Sequence, residues 1–86
     1  MNNIDIRRID LNLLVVFEAI YREGTVTRAS EKLHLTQSSV SHALGRLRTL
    51  FNDALFIRHS NGMAPTAVAR ELYQPILSAL RILEDT

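Results

Sequence analysis

The chain has 86 residues, 47% of them hydrophobic, a formal net charge of +1 and no cysteine. This length allows one small domain with a packed core, and the lack of cysteine excludes a disulfide framework or a thiolate metal site. No apolar run reaches the roughly 18 residues of a membrane span, and the N-terminus lacks a signal-peptide core, so we expect a cytoplasmic protein with no membrane partner.

The basic residues are concentrated in the middle of the chain. Residues 28–59 carry five basic side chains against two acidic ones, together with all three histidines, whereas each flanking segment has a net charge of −1. Positive charge gathered in one segment is the footprint expected of a nucleic-acid contact. The same five residues could equally form a solvated face, and charge alone does not distinguish these alternatives.

The first predicted helix spans about 11–23. Asp10 is a residue type that caps helix starts, and Gly24 can adopt the positive φ that ends helices. The apolar residues between them recur at helical spacing, which predicts a surface that faces the core and braces the helices that follow. This stripe consists of Leu13, Val16, Phe17 and Ile20.

A second, shorter helix is predicted at about 28–33, with Thr27 as its cap. A turn at His34 and Leu35 follows, and a helix–turn–helix needs one residue there in a left-handed conformation, which His tolerates. We interpret His34 as this turn residue and not as a metal ligand, because no second histidine stands at ligand spacing.

The third helix is predicted to begin after Thr36, a capping residue, and to run to about Phe51. Its apolar stripe faces the core, and the opposite side of its first turns carries polar side chains that can donate or accept hydrogen bonds. Such a face suits the major groove of DNA. The stripe is Val40, Leu44 and Leu47, and the predicted base-contacting residues are Gln37, Ser38, Ser41 and His42.

Other polar residues around this helix are predicted to contact the DNA backbone. Thr36 and Ser39 are placed to position phosphates, and Arg46, one turn past the polar face, could contact either a base or a phosphate. Arg28 lies in the first turn of the second helix, where a cation is locally unfavourable. We interpret it as a phosphate contact; the alternative is a solvated arginine.

A small hairpin, or wing, is predicted after the third helix. Asn52 and Asp53 signal a turn, residues 55–58 are apolar and β-prone, residues 59–62 form a tight connection, and residues 63–65 return antiparallel. The hairpin could reach the DNA backbone or minor groove through Arg58, His59 and Asn61. For His59 and Asn61 an ordinary hairpin turn is an equal alternative.

The last helix is predicted at about 67–84, capped by Thr66. Its apolar residues follow a heptad-like spacing and form a surface larger than the other helices can cover, which normally marks an interface. We therefore expect a homodimer through this helix. The predicted dimer residues are Ala69, Leu72, Tyr73, Ile76, Leu80 and Leu83.

Several of these motifs occur together in one known family. The segments LTQSSVSHALGRLRTLF, DALFIR and PTAVARELYQPILSAL resemble the N-terminal DNA-binding part of bacterial LysR-type transcriptional regulators, over about residues 10–84. The wing is similar to that of the branch containing the nodulation regulators, whereas Arg48 stands where the family commonly has an acid. The resemblance implies a mainly α winged helix–turn–helix, with a three-helix core and a two-stranded wing in residues 1–65 and a dimerising linker helix in residues 66–86.

The resemblance also implies a function. The chain is expected to bind dyad-symmetric promoter sites in double-stranded DNA, within the nucleoid, as a homodimer with the third helix in the major groove. Full family members carry a C-terminal effector domain, so the resemblance implies that this sequence is a fragment without that domain. We therefore expect no cofactor in this chain, with a small co-inducer bound only by the missing domain, and a tetramer in the full-length protein.

Two other classes of function fit the sequence less well than DNA binding. A helical protein–protein module would dock a partner on the heptad surface, but the polar face and the central basic bias count against it. An enzyme is disfavoured because adjacent residues such as Ser41 and His42 point apart on a helix and cannot act as nucleophile and base. The sequence also lacks a carboxylate pair, a phosphate-binding glycine loop and a metal-ligand cluster, so no catalytic or metal site is expected.

Overall fold

The computed structural model describes residues 5–86. A 3₁₀ turn at Ile6–Arg8 precedes four α-helices and a two-stranded antiparallel sheet. The helices are α1 (Leu11–Glu23), α2 (Val26–Leu33), α3 (Gln37–Phe51) and α4 (Ala67–Glu84), and the strands are β1 (Phe56–His59) and β2 (Gly62–Pro65). No helix in this part of the chain has the length and apolar character of a membrane-spanning segment.

The three long helices begin at side-chain caps, as predicted. The Asp10 carboxylate accepts the Asn12 backbone N–H at 2.9 Å, and the Thr36 and Thr66 hydroxyls accept those of Ser39 and Ala69 at 3.0 and 3.2 Å. Each cap satisfies one of the amides that a helix start leaves without an intrahelical partner. The predicted bounds of α1, α3 and α4 are therefore confirmed.

The predicted start of α2 is wrong by two residues. Thr25, not Thr27, caps it, because the Thr25 hydroxyl accepts the Arg28 backbone N–H at 3.0 Å. The earlier start places Val26 in the helix, where its side chain packs against the core. His34 ends α2 in the left-handed conformation at φ 57° and ψ 40°, which confirms its predicted place in the turn.

One hydrophobic core joins all four helices and the first strand. The predicted stripes of α1 and α3 are buried in this core. Among the residues that the structure describes, Ser30 is the buried polar one, and its hydroxyl donates to the Thr27 carbonyl at 2.7 Å. The largest fully buried side chains are Phe17, Ile20, Val40, Leu47, Leu55 and Phe56. Because residues of α4 share this core, the linker helix and the winged helix–turn–helix pack as one body.

An aromatic chain connects α1, the wing and α4. Phe17 packs against Phe56 with ring centroids 5.5 Å apart, and Tyr21 lies edge-on to Phe56 at 6.3 Å. Tyr21 also stacks on Tyr73 of α4 with a centroid distance of 4.0 Å. Such pairs contribute beyond their buried area, so they fix β1 and α4 on the surface of α1.

The corner between α3 and β1 differs from the predicted strand. Leu55 was expected to open the strand, but it adopts φ +64° and the strand begins one residue later. The Asp53 carboxylate accepts both the Leu55 N–H at 2.8 Å and the Thr66 hydroxyl at 2.7 Å. These two bonds, together with complete burial of the Leu55 side chain, hold a conformation that is unusual for leucine.

The face of α4 that was assigned to a dimer partner is largely used inside the protomer. Ala69, Leu72 and Ile76 are buried in the core, which corrects their assignment because they are not accessible to a second chain. Tyr73 is half-buried under Tyr21, and Leu80 also packs against the core. Leu83 alone of the predicted set stays mostly exposed, at 55%.

Candidate nucleic-acid interface

The polar residues at the start of α3 form an exposed surface, here called the recognition face. Gln37, Ser38, Ser41 and His42 are all exposed, whereas Val40, one turn into the same helix, is completely buried. The helix is therefore anchored by one side and displays polar groups on the other. This arrangement is required of an element that enters the major groove, where base edges present hydrogen-bond donors and acceptors.

Thr36 and Ser39, both predicted to contact phosphates, use part of their hydrogen-bonding capacity to cap α3. The Thr36 hydroxyl donates to the Ser39 hydroxyl at 2.9 Å while it accepts the Ser39 backbone N–H. The two hydroxyls thus share one hydrogen bond within the protein, which leaves one of their two protons for another acceptor. Both side chains are exposed, so a phosphate contact from Ser39 stays a prediction.

The wing lies beside the recognition face because it is tied to the loop between α1 and α2. The Met63 backbone N–H donates to the Gly24 carbonyl at 2.8 Å. Gly62 packs so closely that a Cβ built on it would lie 2.5 Å from the same carbonyl oxygen, and its φ of +138° also favours glycine. The hairpin is therefore held against the rest of the domain.

This docking creates a cleft of about 340 Å³, here called the wing-side cleft. Gln37 and Ser41 of the recognition face line one wall, and Arg58, His59 and Ser60 of the wing line the other. Thr25 and Thr27 also line it and were not among the predicted site residues. The structure thus brings together two predicted base-contacting residues and two predicted wing residues.

The remaining predicted residues lie around this cleft or on the far side of α3. Asn61 is exposed at the hairpin tip, where its backbone N–H donates to the Nδ1 atom of His59 at 3.1 Å. Arg28 is exposed in the first turn of α2, and His42 and Arg46 line the opposite flank of α3. The site is therefore an extended surface with α3 at its centre.

The arginines of this surface are free to meet phosphates. In the part of the chain that the structure describes, the ion pairs involve Arg7 with Asp5 and Arg22 with Glu18 and Glu23. Arg28, Arg46 and Arg58 take part in none of them. Exposed guanidinium groups without a carboxylate partner suit the recognition of phosphate oxygens.

Arg48 has a structural role that was not predicted. Its guanidinium Nε donates to the Ala54 carbonyl at 2.7 Å, and its Nη2 donates to the Phe56 carbonyl at 2.9 Å. These bonds fasten the start of the wing to α3, so one of the five central basic residues is used to position the wing. No local pattern signals this, because the acceptors are backbone carbonyls.

No metal site is found among residues 5–86, where no group of three or more potential ligand side chains comes together.

Comparisons with known proteins place this geometry in a family. The model of the bacterial regulatory helix-turn-helix proteins of the lysR family matches residues 11–70. The HTH-type transcriptional activator NagR from Ralstonia is 50% identical over 80 residues, which cover 93% of this chain and 27% of NagR.

Solved structures show the same fold. A probable transcriptional regulator, PA0477 from Pseudomonas aeruginosa, superposes with a TM-score of 0.90 at 48% identity, over 93% of this chain and 27% of that one. A DNA complex of the BenM DNA-binding domain superposes with a TM-score of 0.84 at 25% identity, over 90% of this chain and 86% of that one. The relatives are transcriptional regulators, which agrees with the expectation that the chain is not an enzyme. This chain belongs to the LysR family of bacterial helix-turn-helix regulatory proteins.

Proposed function

We propose that this chain binds double-stranded DNA in a sequence-dependent manner, with the recognition face of α3 in the major groove. The observation that carries the proposal is the wing-side cleft, where Gln37 and Ser41 lie opposite Arg58. A glutamine can bond an adenine edge with two hydrogen bonds, and a neighbouring arginine can hold the adjacent phosphate. One base-reading group and one backbone-binding group are thus placed within the same cleft. The BenM complex with DNA, formed by a domain of the same fold, supports binding to DNA.

Base edges and phosphates are assigned to different residues. Gln37, Ser38, Ser41 and His42 read base edges, because they lie on the exposed side of the first two turns of α3. Arg28, Ser39, Arg46 and Arg58 bind phosphates, because they surround that face and lie outside the ion pairs described above. Thr36 acts through the cap, and His59 with Asn61 shapes the hairpin tip.

Salt-dependent binding tests this assignment. The duplex is one recovered by selection from a random pool, and a scrambled duplex serves as reference. Arg28→Ala is expected to weaken binding to both duplexes. The plot of the logarithm of the association constant against the logarithm of the salt concentration has a negative slope, and its magnitude falls by about one because one phosphate contact is lost. The matched control is Arg70→Ala on α4, which leaves the slope unchanged. If the unaltered chain binds neither duplex at low salt, the proposed function is wrong.

A homodimer forms through the outward side of α4. Pro75, Ala79 and Ile82 recur at intervals of four and three residues, so they lie on one exposed line, and Ile82 is 68% exposed. Leu83 extends this line at the end of the helix. Two copies packed along these lines would bury apolar surface that the protomer leaves in water.

Sedimentation equilibrium tests the dimer. The chain is expected to associate, and Ile82→Glu is expected to make it monomeric by placing a charge in the apolar contact. Glu71→Gln, an exposed change on the same helix, is the control and leaves association unchanged. Association that persists undiminished in Ile82→Glu would contradict this surface.

The chain spans 27% of the length of NagR and 28% of that of another curated relative. We propose that in a protein of that length the remaining residues bind a small co-inducer and assemble the dimers into a tetramer, while residues 5–86 supply the DNA contacts. Removal of residues 1–86 from the full-length protein is expected to leave co-inducer binding unchanged, which would support this division. Loss of co-inducer binding on that truncation would contradict it.

A further inference from the structure

A second cleft lies on the flank of α3 that faces α1, opposite the wing. It is an open cleft of about 670 Å³ and is here called the α1-side cleft. Arg8, from the 3₁₀ turn before α1, and Arg46, from α3, both line it, with no acidic side chain among the lining residues. His42 and Thr49 also line it. The cleft thus begins at the recognition face and carries two positive charges.

Gly45 lies in the floor of this cleft, in the middle of α3. It is exposed, and a Cβ built on it would meet nothing within 4 Å apart from the neighbouring backbone of its own helix. Glycine inside a helix is unfavourable relative to alanine, and packing normally explains its presence. Here the fold gives no such reason, since a methyl group would fit without any clash in the protein.

The position of Gly45 on α3 indicates why a side chain would be unfavourable there. Ser38, His42, Gly45 and Thr49 recur at intervals of four, three and four residues and form one exposed line, and its last three members line the α1-side cleft. A helix with side chains is about as wide as the major groove, so its two flanks face the two phosphate ridges. With α3 in the groove, the wing-side cleft would face one ridge and the α1-side cleft would face the other.

We propose that Arg8, Gly45 and Arg46 form a second binding site for the DNA backbone, in which the bare backbone of Gly45 lets a phosphate approach between the two guanidinium groups. This inference rests on the proposed function. The two clefts then clamp α3 in the groove from both sides. Arg8, which lies before the first long helix, becomes a DNA-contacting residue.

Gly45→Ala is expected to raise stability and to lower DNA affinity, and these opposite effects distinguish a phosphate site from a structural role of Gly45. Gly45→Ala removes the entropic cost of glycine and raises Tm by about 2–8 °C, because nothing in the protein opposes the methyl group. The same methyl group holds the phosphate away from the helix, so Gly45→Ala is expected to weaken duplex binding at least about fivefold. A residue with a purely structural role would not raise Tm while lowering affinity.

The arginines are tested separately, in the full chain and with the selected duplex. Arg8→Gln and Arg46→Gln each lower the salt slope by about one, whereas Arg70→Gln does not change it. Arg46→Gln weakens binding less in the Gly45→Ala background than in the unaltered chain, because the phosphate has already moved away from that arginine.

Two results would overturn the proposal. One is Gly45→Ala binding the duplex as tightly as the unaltered chain, and the other is Arg8→Gln keeping the full salt slope. In either case, continued binding by the unaltered chain shows that only the α1-side cleft was misassigned. Failure of the unaltered chain to bind any duplex would instead refute the proposed function itself.

Discussion

Helices α3 and α4 carry similar apolar patterns, but they differ in what their exposed sides contain. In α3 the stripe is buried and the opposite side is polar, with the recognition face at its start. In α4 the stripe is also buried for its first ten residues, yet the outward side is partly apolar, at Pro75, Ala79 and Ile82. We infer that a binding partner is better predicted from the residues opposite the core than from the apolar stripe, because the stripe is buried by the fold itself.

The difference arises from how far each helix is covered. α3 is packed against both α1 and α2, so its apolar stripe ends where the core ends. α4 packs against α1 and β2 and extends beyond them, which leaves Ile82 and Leu83 in solvent. A helix that extends beyond its own core offers the free apolar surface that a second chain can bury.

The largest expected effect separates the two sides of α4. Ile76→Ala is expected to lower the free energy of unfolding by about 2–5 kcal/mol, because Ile76 is buried and leaves a cavity. Ile82→Ala is expected to change it by less than about 0.5 kcal/mol, because this side chain is exposed in the protomer. Urea unfolding at a concentration where the chain is monomeric measures both. Equal losses at the two positions would show that the buried side was assigned wrongly.

A second pair compares two arginines of α3. Arg48→Gln removes the hydrogen bonds to the Ala54 and Phe56 carbonyls and is expected to cost about 1–3 kcal/mol of stability. Arg46→Gln removes the same charge from the same helix but no side-chain hydrogen bond or ion pair among residues 5–86, so stability is expected to stay within about 0.5 kcal/mol. Thermal unfolding of the two variants checks this. A larger loss for Arg46→Gln would contradict the role of Arg48 in fastening the wing.

The smallest expected effect compares the caps of α3 and α4. Thr36→Ala loses the cap and the bond to the Ser39 hydroxyl, both at an exposed helix start, and is expected to cost about 0.5–1 kcal/mol. Thr66→Ala is expected to cost more, about 1–2 kcal/mol, because its hydroxyl also donates to the Asp53 carboxylate at 2.7 Å. Urea midpoints in the reverse order would show that the Asp53 contact does not stabilise the corner.

Local signals in the sequence were sufficient for most of the helices. Asp10, Thr36 and Thr66 are strong capping residues directly before apolar stripes, so the starts of α1, α3 and α4 could be predicted. For α2 two threonines compete, and the choice of Thr25 over Thr27 brings Val26 against the core. That choice depends on tertiary packing, which a local pattern does not contain.

The residues of the candidate site could be predicted from the sequence, but the hydrogen bonds that hold the wing beside α3 could not. The polar side of α3 follows from helical spacing, and the structure places Gln37 and Ser41 beside Arg58 as expected of a winged helix. The bonds that hold the wing there could not be predicted, because Arg48 and the Gly24 carbonyl bind backbone groups distant in sequence. The left-handed conformation of Leu55 could not be predicted either, because it depends on the hydrogen bond to Asp53 and on burial of the leucine side chain.

We expect the exposed side of α3, and not that of α4, to distinguish one DNA sequence from another. Two matched variants test it most directly: Gln37→Ala on the recognition face and Gln74→Ala at an exposed position of α4. The measurement is the ratio of affinities for the selected and scrambled duplexes at fixed salt. We expect Gln37→Ala to reduce this ratio by about 5- to 150-fold, equivalent to about 1–3 kcal/mol, and Gln74→Ala to leave it unchanged. An undiminished ratio in Gln37→Ala, or an equal loss in both variants, would contradict the account.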